Sequence, residues 1–152
     1  MQKRFNSDQI IPGLPGIIIL SHGPMAISMI DSASLIAGNI DNLAAFIIEE
    51  GDDSYSFGDM FTEAIKSYDA GALVLIDFFG GTPFNQILYH SKKDCLNIEA
   101  LTGVSMPMLI ESIFSRTNDL VSWVQQVKES SELGLNDIHD LIHEENSILT
   151  KS

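Results

Sequence analysis

The chain has 152 residues, enough for one ordinary domain with a sizeable core. Its 8 Lys+Arg against 21 Asp+Glu give a formal charge of −13, which argues against nucleic acid or an anionic membrane held through a basic face; a basic protein partner and simple solubility both fit the acidity. Cys95 is alone, which excludes an internal disulfide and agrees with a reducing cytosol, and no apolar run is long enough to cross a bilayer.

Residues 1–15 read as a polar, then Pro/Gly-rich extension without a clear period. Pro12, Gly13, Pro15 and Gly16 break the stretch after MQKRF, so no signal peptide is read there. From Gly16 the pattern changes. GIIILS is a short, solidly apolar run of the kind expected for a strand buried on both faces. A helix is predicted from Pro24, at its first turn, to Gly38, at its end. LAAFII (43–48) is a second strand, followed by a loop and a helix over about 57–68. ALVLID (72–77) is a third strand, and GGTPFNQILYH turns into another helix. NIEALTG (97–103) is a fourth strand, followed by helices at about 107–115 and 119–130, the latter capped by Asp119. In the tail, NDIHDLI fits either a short edge strand with Ile138 and Leu141 inward or a fraying helix. Strands alternating with helices of crossover length predict a single-domain α/β fold. It is a doubly wound, mainly parallel sheet of about four strands with helices on both faces. The expected division is an extension (1–15), a core domain (16–131) and a C-terminal tail (132–152).

In such a sheet, ligands bind at the carboxyl ends of the strands. The first predicted strand ends at Ser21-His22 and the third at Ile76-Asp77, so an imidazole and a carboxylate leave the same sheet edge. If those strands are neighbours the side chains meet. A carboxylate accepting from one ring nitrogen then leaves the other as a nucleophile. GGTPFN adds Thr82 as an N-cap with Pro83 at the first helical position, and glycines that let the backbone approach a ligand. Free N–H groups at such a helix start attract phosphate. Phosphoryl-binding candidates are therefore Gly23, Gly80, Gly81 and Thr82, and Met25, Phe78, Phe79, Phe84 and Asn85 are candidates to line the site. Each piece has an ordinary alternative: a surface histidine, a turn-capping aspartate, a glycine loop, or aromatic packing. Among the other histidines, His90 lies near a helix end, where a cation is mildly favoured, and His139 and His143 share i,i+4 spacing without a third ligand. No metal site or cofactor is expected. Trp123 is expected to pack a helix on the core.

IIILSHGPMA, VLIDFFGGTPFN and TGVSMPMLIES, in that order, resemble the IIA component of the mannose-family phosphoenolpyruvate-dependent sugar phosphotransferase system over roughly residues 16–130. The specific block is Asp-x-x-Gly-Gly-Thr-Pro-Phe-Asn (77–85). The resemblance implies a cytoplasmic, homodimeric phosphotransferase in which His22 takes phosphate from the phosphocarrier HPr and passes it to a IIB component. The membrane components IIC and IID are served indirectly. It further implies that Asp77 orients His22, that Thr82 and neighbouring backbone contact the phosphoryl group, and that C-terminal residues form a strand exchanged between subunits. Three rivals stay open: an aspartyl-phosphate receiver using Asp77, the phosphotransferase subunit of a dihydroxyacetone kinase, and a non-catalytic regulatory module of the same fold. The transported sugar is not legible in these residues.

Overall fold

The computed structural model describes residues 1–144. The main elements follow along the chain as β1 (Gln2–Phe5), β2 (Gly16–His22), α1 (Met25–Ala37), β3 (Leu43–Ile48), α2 (Ser54–Ser67), β4 (Ala72–Ile76), α3 (Thr82–Asp94), β5 (Ile98–Thr102), α4 (Met106–Phe114) and α5 (Leu120–Leu133). The strands form one sheet in the order β1-β3-β2-β4-β5. The last four strands are mutually parallel, and β1 runs antiparallel along β3. The doubly wound α/β architecture predicted from the alternating pattern is the one observed.

The apolar runs divide by parity. Ile17, Ile19, Leu43, Ala45, Ile47, Leu73 and Leu75 face α1, α4 and α5, where Ile30, Leu109 and Trp123 close the core. Ile18, Leu20, Ala44, Phe46, Val74 and Ile76 face α2 and α3, where Phe57, Phe61 and Ile87 close it. Both faces of every central strand are covered, which is why these strands read as continuous rather than alternating apolar runs. Trp123 is fully buried, as expected, and its indole N–H donates to the Ser112 carbonyl at 3.1 Å.

The sheet has one strand more than the four read from the sequence, and it comes from the N-terminal end. Residues 1–15 are tied in by polar contacts. The Asn42 side chain accepts from Ile11 N–H at 2.8 Å and donates to the Ile11 and Leu14 carbonyls, and Arg116 Nη1 donates to the Pro15 and Asp41 carbonyls. Arg4 pairs with Asp31 of α1 at 2.5 Å. In the tail, residues 139–144 are helical, and Ile138 and Leu141 are exposed rather than inward. No C-terminal edge strand occurs among the described residues; positions 145–152, which also belong to the tail, lie outside them. Among the described residues no helix is long and apolar enough to cross a membrane.

Helix boundaries follow their caps. Asp53 accepts from Ser56 N–H at 2.7 Å, which starts α2 three residues before the expected position. Ser105 and Asp119 cap α4 and α5 in the same way. The α3 cap differs from the expectation: Gly81 is the N-cap and Thr82 already opens the helix.

Candidate functional site

β2 and β4 are neighbours at the point where the chain reverses its winding direction, between the crossover to β3 and the return to β4. Strand ends splay apart there and leave a crevice. His22 ends β2, and Asp77 follows β4 with its N–H donating to the Leu20 carbonyl at 3.0 Å, one residue beyond the strand. The proximity that the sequence left conditional is therefore realised. His22 Nδ1 lies 2.7 Å from Asp77 Oδ2. The same oxygen accepts the His22 backbone N–H at 2.8 Å, and Asp77 Oδ1 accepts the Phe78 N–H at 2.8 Å.

This geometry selects a tautomer. A carboxylate only accepts, so Nδ1 carries the hydrogen and Nε2 holds the lone pair. Asp77 is occupied by three donors and its side chain is only 9 % exposed, whereas the His22 side chain is 42 % exposed. The carboxylate is thus enclosed and occupied by donors, while the imidazole is open to solvent.

Three turns bring backbone to the ring. Ser21, fully buried, accepts the Ala26 N–H at 2.9 Å through its hydroxyl and donates to the Gly23 carbonyl, so it starts α1 where Pro24 has no side-chain cap to offer. Gly23 adopts φ 60° and its N–H reaches the Ile48 carbonyl at 2.9 Å. Gly81 has an ordinary backbone, and its lack of a side chain matters for space: a Cβ there would stand 2.7 Å from His22 Cε1 and 2.9 Å from Phe78 Cζ. No side chain caps α3, so its first-turn N–H groups remain available to an anion beside the histidine.

A cavity of about 470 Å³ opens over the ring, lined by His22, Gly23, Ile48, Glu49, Glu50, Asp52, Ser54 and Thr82. Of the predicted residues, His22, Gly23 and Thr82 line it. Phe78 stacks on the imidazole at 5.1 Å between centroids, 22° from parallel. Gly80 supplies the turn at φ 90°, and Asn85 reaches back weakly to its carbonyl at 3.4 Å. Phe79 and Phe84 pack on each other at 4.5 Å rather than on the ring, and Met25 stands 40 % exposed at the start of α1. Glu49, Glu50, Asp52, Ser54 and the structural role of Ser21 were missed by the sequence reading. The signal for the acidic residues was the EEGDD run directly after a strand end at the site's own edge. Asp52 is held below the ordinary carboxylate range by the Met1 ammonium and then by the Glu49 N–H, which it accepts at 2.8 Å.

The remaining histidines lie elsewhere. His90 lies near the end of α3, as expected, and is buried in the α2–α3 interface with Nδ1 3.1 Å from Asp94. His139 and His143 bring their rings to 4.2 Å on one helical turn, and among the described residues no group of three metal-ligating side chains forms.

Residues 16–128 match the family model of the PTS (phosphotransferase system) fructose IIA component. The chain belongs to that family. It is 27 % identical over 121 residues to the fructose-specific EIIA component of Bacillus subtilis (strain 168), covering 76 % of this chain and 82 % of that protein. It is 28 % identical over 105 residues to the mannose-specific EIIAB component of Escherichia coli (strain K12), covering 68 % of this chain and 32 % of that longer protein. Among solved structures, the phosphotransferase system component EIIA from Streptococcus agalactiae superposes with a TM-score of 0.76 at 27 % identity, covering 82 % of this chain and 98 % of that one. As a member of this family the chain is a IIA component of a sugar phosphotransferase system, in agreement with the resemblance carried by residues 77–85.

Proposed function

We propose that His22 carries a phosphoryl group on Nε2, accepted from the phosphohistidine of HPr and passed to a IIB component. The observation that carries this reading is the 2.7 Å contact between Nδ1 and a carboxylate saturated by three donors, with the exposed ring lining a cavity beside an uncapped helix start. In the transfer, the Nε2 lone pair forms the new N–P bond as the donor's P–N bond breaks and returns its electron pair to the donor ring. No proton leaves His22: Nδ1 keeps its hydrogen, and the ring becomes positively charged beside Asp77. Such chemistry asks for positioning and charge stabilisation. The backbone N–H groups of Gly81, Thr82 and Phe84 and the Thr82 hydroxyl share the phosphoryl charge. Glu49, Glu50 and Asp52 on the cavity rim disfavour a long stay of a dianion and favour a cationic approaching surface.

On this reading the protein works in the cytoplasm, serves its membrane components IIC and IID through IIB, and needs no cofactor. We also propose a homodimer, which the resemblance carried by the sequence motifs implies. β5 has no strand neighbour on its outer side among the described residues, and Leu133, Leu135, Ile138, Leu141 and Ile142 are exposed at the end of α5 and beyond it. Sedimentation at micromolar concentration tests this: twice the chain mass is expected, weakened by deleting 132–152, and a stable monomer contradicts it.

The test of the transfer itself is to mix the protein with HPr, enzyme I and phosphoenolpyruvate and map the modified residue by mass spectrometry under alkaline conditions, which phosphohistidine survives. Modification of His22 is expected. An alkali-labile modification, or one on another residue, overturns the reading.

A further inference from the structure

His22 is held at Nδ1 by Asp77, and Gly81 leaves room at the Cε1 edge, where a Cβ would stand 2.7 Å away. One face of the ring is covered by Phe78, whose side chain is not explained by core packing: it is 52 % exposed and belongs to neither apolar cluster. The next residue, Phe79, turns away to Phe84. Two adjacent phenylalanines thus have different partners, and only one of them meets the imidazole. The main chain of Phe78 is fixed by the same carboxylate that fixes the ring, since its N–H donates to Asp77 Oδ1 at 2.8 Å. One carboxylate therefore sets the positions of both stacked partners.

We infer that Phe78 is a positioning residue for phosphoryl transfer: its π face steadies the His22 ring and favours the positively charged ring that exists while the phosphoryl group is carried. The inference rests on the proposed phosphohistidine. A centroid separation of 5.1 Å with planes 22° apart is an offset stack. A cation within about 6 Å of an aromatic face is attracted by the ring quadrupole. Asp77 acts on the charged ring from within its plane and Phe78 from outside it, so the two contributions do not compete for a ring atom. Nε2 takes part in neither and stays free for phosphorus. Because both rings are partly open to water, the effect belongs at the low end of such interactions, about two- to five-fold in an equilibrium constant.

The experiment compares wild type with Phe78→Leu, Phe78→Met and Phe78→Tyr. The first two keep apolar bulk without a π face; the third keeps the face. At this half-exposed position none of them alters the core, and thermal melts confirm folding. Each protein is equilibrated with a fixed ratio of phosphorylated to free HPr, and the occupancy of His22 is read by mass spectrometry. In parallel, NMR of the unphosphorylated proteins follows protonation of the His22 ring, which creates the same positive charge without any partner. Phe78→Leu and Phe78→Met should lower both the phosphorylation constant and the proton affinity of the ring by about two- to five-fold, and Phe78→Tyr should restore both. KM for phosphorylated HPr should stay at the wild-type value. Unchanged proton affinity in Phe78→Leu, or a loss in Phe78→Tyr as large as in Phe78→Leu, overturns the inference. Wild-type protein that takes no phosphoryl group on His22 overturns the carrier reading instead, and the proton-affinity arm still decides the role of Phe78.

Discussion

Among the described residues two histidine rings, His22 and His90, hydrogen-bond to an aspartate, and the surroundings of the two pairs differ. His22–Asp77 joins residues 55 apart in sequence at 2.7 Å, across the ends of two neighbouring strands. His90–Asp94 joins residues four apart at 3.1 Å within a single helix turn. In the first pair the carboxylate is the enclosed partner and the ring lines a cavity. In the second the ring is 1 % exposed, packed edge-on against Phe61 and Tyr89, with Nε2 buried and lacking a hydrogen-bond partner. Gly58 of α2 makes that burial possible: a Cβ there would stand 2.3 Å from His90 Nε2. A hydrogen-bonded His–Asp pair is therefore insufficient to mark a reactive site. What separates the two is that the His22 ring is exposed and lines a cavity, whereas the His90 ring is buried.

That contrast breaks if the wrong histidine responds. The largest effect is expected from His22→Ala, which should abolish labelling by phosphorylated HPr, while His90→Gln should be labelled at the wild-type rate. Label remaining in His22→Ala would assign the acceptor elsewhere. Next comes Asp77→Asn, which removes the charge that favours the positive ring and lets an amide donor select the wrong tautomer. Rapid-quench transfer should slow by roughly 10- to 1000-fold, with no more than about 1–2 kcal/mol lost in thermal stability. Gly81→Ala should follow. Its methyl group meets His22 Cε1 and Phe78 Cζ, so the ring must move and transfer should fall about 10- to 100-fold, while melting changes little because the backbone there is unstrained. At the second pair the signature is stability. His90→Gln should cost about 1–3 kcal/mol in chemical denaturation through lost ring packing.

The smallest effect sharpens the comparison through pH. Lys66, and then His90, hold the Asp94 carboxyl below its ordinary range, and Lys66 Nζ lies 3.0 Å away. A carboxyl depressed in the folded state contributes stability above its unfolded pKa, and that contribution disappears as pH falls through the folded value. The difference in melting temperature between wild type and Asp94→Asn should thus be present at neutral pH and close in acid, as pH falls below the ordinary carboxylate range. A gap that persists unchanged in acid would show that the pairing contributes nothing.

Much of this was legible in the sequence because the informative signals are local. The run from Ile17 to Leu20, the SHGP turn and the GGTPFN block each announce an element by short-range pattern. The meeting of His22 and Asp77 needed strand order, which is non-local, and it stayed conditional until β2 and β4 were seen as neighbours. β1 is four residues long and its pairing, Arg4 opposite Ala45, joins positions far apart in the chain; nothing in QKRF alone requires a strand. The acidic rim follows a strand end, and its place in the site depends on the non-local register that sets His22 opposite Ile48. Burial of His90 depends on α2, whose Gly58 opens space for a ring that its own helix pattern does not reveal.

In the proposed transfer phosphorus bonds to Nε2 of His22 while Nδ1 keeps its hydrogen for Asp77. Heteronuclear NMR of the phosphorylated protein, with ¹⁵N in its histidines, reads both nitrogens directly. The expected result is ¹⁵N–³¹P coupling at Nε2 of His22 and a proton on its Nδ1. Phosphorus on Nδ1, or on any side chain other than His22, would contradict it.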